Sequence, residues 1–208
     1  MMKKLFTLLL CTIFVTAVAH EDEQDHYSFR IREKKYTLSD EFEMMDINGK
    51  SFGMVTKRKI KFPGRTIYQL WSPKGEYEGR GITNLFCFGV FLNWATEIYV
   101  YDDENPEQLV GWIDGQFWTT EDSKFSFYHA NGERVGIAYL DEEDCSFSLK
   151  HPENDRWTLA DFNRKAIQEQ IDPWDVSVYE PEKVDKRLIK VFAAFIVDRQ
   201  NHFHKKDN

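Results

Sequence analysis

Leu188-Ile189-Lys190-Val191-Phe192-Ala193-Ala194-Phe195-Ile196-Val197 is apolar at every position except Lys190. Wound into a helix, these residues cover all faces, so the segment has no side to turn toward water. It must be enclosed by membrane or by protein. At about 1.5 Å per residue the run rises about 15 Å, half of the roughly 30 Å of a bilayer core, so protein is the expected enclosure. Val184-Asp185 follows Pro181 and opens the segment, and Asp198-Arg199-Gln200-Asn201 closes it. A central helix is therefore expected at about 184–198, with a polar tail over 201–208.

Working back from the helix, the enclosing wall is legible as serial hairpins. Phe42 to Ile47 alternates apolar and polar residues, runs into Asn48-Gly49, and returns as Ser51 to Thr56. Asn-Gly between alternating runs is a strong hairpin signal because both turn positions need positive φ. The unit recurs from Ile67 through Ser72-Pro73-Lys74-Gly75 to Ile82, and from Glu97 through Asp102-Asp103-Glu104-Asn105-Pro106 to Ile113. It recurs again from Phe125 through Asn131-Gly132 to Leu140, and from Phe147 through Pro152-Glu153-Asn154-Asp155 to Trp157. Short strands in such a series predict a sandwich or a closed barrel, closure being the usual way to remove exposed edges.

Two segments read less simply. Leu85 to Trp94 is apolar at both parities, which predicts one strand buried on both faces; it is too short for a helical membrane span. Leu159 to Gln170 carries Leu159, Phe162, Ala166 and Ile167 at helical spacing, while strand stays open there.

The N-terminus has the order of a secretory signal peptide: Lys3 and Lys4, an apolar run from Leu5 to Ala19, and the small-x-small triplet Ala17-Val18-Ala19. Cleavage before His20 makes 1–19 a signal peptide and 20–26 a flexible acidic lead-in. Residues 27–200 form the domain. The expected location is periplasmic or extracellular. Losing Lys3 and Lys4 takes the net charge from −8 to about −10, which argues against nucleic acid as a partner. With 17 Phe, 9 Tyr and 6 Trp, the chain can build a large core. Cys11 leaves with the signal. Cys87 and Cys145 remain in an oxidising compartment, where a disulfide and two buried thiols both stay open.

The serial hairpins typified by Glu43 to Lys50, followed by Trp174-Asp175-Val176-Ser177-Val178, Val184 to Ile189, and Ala193 to Asp198, resemble the tubby C-terminal-like fold. They resemble its LURP-one-related branch in particular, more distantly the phospholipid scramblases. The resemblance covers roughly Tyr27 to Arg199. It implies a mainly β protein, a closed antiparallel barrel of about twelve strands around the buried apolar C-terminal helix. It also implies that Leu159 to Gln170 is strand and turn. Relatives of this fold bind phosphoinositides, but no basic residue here aligns with theirs.

One basic concentration stands out in this acidic chain: Lys57, Arg58, Lys59 and Lys61, with Arg65. Each basic residue near an anionic surface contributes about 1 kcal/mol, so the run is a candidate site for anionic lipid or another polyanion. The structural alternative is a strand whose Lys57, Lys59 and Lys61 face water while Ile60 and Phe62 face the core. No metal site is expected. Asp102 to Asn105, with Glu107 and Asp114, resembles a calcium loop only superficially, because Gln108 stands where an EF-hand needs glycine. Asp141 to Asp144 reads as a solubilising tip. His202 and His204 lack a third ligand. No nucleophile elbow, zinc helix or phosphate loop is present, so neither enzymatic activity nor a cofactor is expected. The function expected from sequence is an exported binding module for lipid, a membrane surface or another anionic ligand. The alternative is a structural or protein-interaction domain whose partner is another protein.

Overall fold

The computed structural model describes residues 26–34, 40–59, 65–88, 92–116, 123–141, 146–164 and 173–199; for 59, 85–88, 92–95 and 116 it describes the backbone. The signal peptide, Lys61, Cys145, His202 and His204 lie outside the described residues. So does the helix-or-strand question over 165–170, and the disulfide question stays with them.

Twelve strands close into one antiparallel barrel. They are β1 (Tyr27–Glu33), β2 (Asp40–Asp46), β3 (Ser51–Lys59), β4 (Arg65–Trp71), β5 (Tyr77–Phe88) and β6 (Leu92–Tyr101). The second half is β7 (Leu109–Gln116), β8 (Lys124–His129), β9 (Arg134–Asp141), β10 (Ser146–His151), β11 (Asn154–Arg164) and β12 (Trp174–Val178). Each strand pairs with its sequence neighbours, and β1 closes on β12 from Tyr27↔Val178 to Ile31↔Trp174. The five hairpins expected from sequence are β2–β3, β4–β5, β6–β7, β8–β9 and β10–β11. Their turns share one rim, here the upper rim. At the first, Gly49 takes φ 77°, and Asp46 Oδ1 accepts hydrogen bonds from the backbone N–H of Asn48 (2.9 Å) and of Lys50 (2.8 Å).

Helix α1 (Lys186–Arg199) enters at the upper rim and runs through the barrel to the lower rim. Leu188 to Val197 are all buried. Phe192 sits at the centre, edge-on to Phe125, Phe127, Phe147 and Phe162 at ring-centroid separations of 5.0, 5.1, 5.6 and 5.1 Å. Burying each large apolar side chain contributes about 1.5–3 kcal/mol, so helix and wall form one core. Close approach depends on a missing side chain: a Cβ at Gly81 would press on Val191 Cγ1.

Most inward residues are apolar, as in β4, where Tyr68 and Leu70 are buried alongside Thr66. Outward residues include Thr56, Arg58, Gln69, Arg80, Glu97, Asp114 and Asp161. Among the described residues no helix is long and apolar enough to cross a membrane.

One expectation is overturned. Leu85 to Trp94 is not a single strand buried on both faces but the two arms of the β5–β6 hairpin, with Phe88 opposite Leu92. An apolar run with Gly89 at its middle can fold back on itself while its periodicity looks continuous. Leu159 to Arg164 is strand, as the resemblance implied; packing of Leu159, Ala160 and Phe162 on the core overrides helix propensity.

Candidate functional site at the lower rim

The described residues of the basic run, Lys57 to Lys59 and Arg65, occupy the lower-rim ends of β3 and β4, and the pleat divides them. Val55 is buried, so strand alternation points Lys57 inward and Arg58 outward. Lys57 forms ion pairs with Asp198 of α1 and with Asp40 (3.2 Å). Tyr68 donates its hydroxyl hydrogen to Asp198 Oδ2 at 2.7 Å. Burial first, and Asp198 second, raise the Tyr68 pKa well above its ordinary value. Lys57 therefore fixes the helix end to the wall, contrary to the expectation that it faces water. Among the described residues, side-chain hydrogen bonds tie α1 to the wall at Arg187, Lys190 and Asp198.

Arg58 and Arg65 behave differently. Both are exposed on the outer face, on adjacent strands and diagonal to one another, since Arg58 faces Ile67. Among the described residues neither makes an ion pair. Lys59 pairs with Thr66 through its backbone.

Beside these cations the outer face changes character. From β4 through β8 the cross-strand row reads Ile67, Ile82, Tyr99, Trp112 and Tyr128. Trp112 and Tyr128 are stacked at 4.9 Å. Nearer the lower rim Glu97 faces Asp114 directly. Burial and the Glu97 charge raise the Asp114 pKa, and Tyr99 donates to Glu97 Oε2 at 3.1 Å.

The upper rim holds an open cleft of about 340 Å³ lined by Glu78, Asp103, Asp185, Lys186 and Arg187. Its charges are mostly engaged with one another. Arg187 donates to Asp102 at 2.6 Å and to Asp185 at 2.8 Å. Deeper in, Lys190 donates to Glu78 at 2.6 Å. The acidic tip is likewise used locally, with Asp102 Oδ1 accepting from Glu104 N–H and Asn105 Oδ1 from Glu107 N–H. Among the described residues no three His, Cys, Asp or Glu side chains converge on a metal position.

These features define a class by architecture: a closed antiparallel barrel plugged by its own C-terminal helix, with ion-paired polar groups at both ends of the plug and an open cleft at the upper one. A scan against protein-family models and a search of curated proteins return no match to the chain.

Proposed function

We propose that the protein is an exported, non-enzymatic binding module that engages an anionic lipid surface through Arg58 and Arg65 at the lower rim. One observation carries this: two exposed guanidinium groups, side by side on the outer face, lack ion pairs among the described residues of a chain with net charge −8. The helix fills the barrel, so a ligand has to bind outside. At about 1 kcal/mol each, the two arginines contribute about 2 kcal/mol at an anionic surface. The tubby-like resemblance supports a helix-plugged barrel as the scaffold.

Flotation with vesicles tests it. Binding is expected to phosphatidylcholine vesicles containing phosphatidylglycerol, and much less to phosphatidylcholine alone. Arg58→Glu with Arg65→Glu should weaken it more than about tenfold. Equal binding to both vesicles, or none lost in the double variant, would overturn the proposal.

A further inference from the structure

The outer face from β3 to β7 sets opposite charges at matched positions about one strand. At the level of Asn84 on β5, Arg65 lies one strand to one side and Glu97 one strand to the other. Asp114 follows beyond Glu97. One step toward the upper rim the row centres on Ile82, with Ile67 and Arg58 on the first side and Tyr99 and Trp112 on the second. Cations therefore occupy one half of the face, and carboxylates with aromatic rings the other. Arg58 and Arg65 are exposed, and Glu97, Tyr99, Trp112 and Asp114 are half-buried. Glu97 and Asp114 face one another, and among the described residues neither makes an ion pair.

We infer that a second copy of the chain docks on this face, related to the first by a two-fold axis running along β5. Such an axis sets each residue against the one equally far on the other side of β5. Arg65 then meets Glu97 of the second copy, and Glu97 meets Arg65 of that copy. In the neighbouring row Ile67 meets Tyr99, and Ile82 meets its own counterpart. Arg58 lies over the Trp112 ring as a cation–π pair, with Asp114 beside it. Every contact off the axis is made twice, and the facing carboxylates of one chain gain guanidinium partners from the other. Arg80 also stands on β5, but it is turned aside to the Pro106 carbonyl (3.1 Å) and the Tyr101 ring (5.4 Å). Five strands at about 4.8 Å spacing span about 19 Å, so the contact is smaller than the roughly 800 Å² per partner of a stable complex. The dimer is accordingly weak and reversible. It does not depend on the lipid reading. Both use Arg58 and Arg65, so a membrane surface and a second copy compete for them.

Sedimentation equilibrium at physiological ionic strength tests the pairing. Wild type should show a concentration-dependent dimer. Arg65→Glu alone and Glu97→Arg alone should each weaken association more than about tenfold, because each sets like charges against one another. Combined in one chain, the two should restore it to within about threefold of wild type. A wild type that stays monomeric at its highest soluble concentration overturns the inference. So does a dimer indifferent to both single substitutions, or one that the combination fails to restore. The readout contains no lipid and is therefore separate from vesicle flotation. A dimer rescued by the charge swap, with vesicle binding undiminished in the Arg58→Glu, Arg65→Glu variant, supports the dimer and overturns the lipid reading.

Discussion

Lys190 Nζ, on the one charged residue within the apolar helix run, lies 2.6 Å from Glu78 Oε2 at the barrel wall. The two partners differ in access to water: the Lys190 side chain is 1% exposed and that of Glu78 20%. Burial pushes the Lys190 pKa below the lysine range, and Glu78 limits the drop. The Phe52 ring, with its centroid 5.1 Å from Nζ, adds a cation–π contact. Removing the carboxylate strands a buried cation; removing the amine leaves a carboxylate that water can reach. Glu78→Ala should therefore cost about 3 kcal/mol and Lys190→Met about 1 kcal/mol or less, read from urea midpoints. Equal losses would contradict the asymmetry.

At the helix start, the Arg187 hydrogen bond holds the Asp102 pKa down to about 2. Burial raises the Asp185 pKa, but its hydrogen bonds with Arg187 outweigh that, and the net shift is downward. A depressed carboxylate stabilises the fold above the unfolded pKa of about 3.9 and loses that contribution as pH falls through the folded value. Wild type should exceed Arg187→Met in stability by a constant margin above about pH 4. That margin should shrink as pH falls toward about 2. Urea melts across this range check it, and a pH-independent margin would contradict it.

Gly81 and Val191 make a second pair. Gly81→Ala should cost about 1–3 kcal/mol by overpacking. Adding Val191→Ala should recover part of that loss, so the double variant is less destabilised than the sum of the singles. Additive losses in a double-mutant cycle would mean that the wall yields without strain.

Much of the fold was legible because its signals are local. Asn48-Gly49, Pro73 to Gly75 and Asn131-Gly132 mark turns by backbone chemistry, and Leu188 to Val197 needs enclosure whatever surrounds it. Strand faces were harder. Lys57 looked solvent-facing because lysine prefers water, yet parity with Val55 turns it inward to Asp198, a partner 141 residues away. No local pattern encodes such a pairing. Lys190 stood out as the one exception in the apolar run, but no local pattern pointed to its partner Glu78. Gly89 was the missed cue in Leu85 to Trp94: apolar residues at both parities suited a doubly buried strand as well as two hairpin arms.

The barrel interior is packed core, and the proposed membrane contact lies at the lower rim. Hydrogen exchange with and without phosphatidylcholine–phosphatidylglycerol vesicles addresses this most directly. Protection is expected around Arg58 and Arg65. The upper-rim turns at Asn48-Gly49, Lys74-Gly75 and Asn131-Gly132 should stay unchanged. Protection centred on those turns, or none at the lower rim under conditions of measured binding, would contradict the assignment.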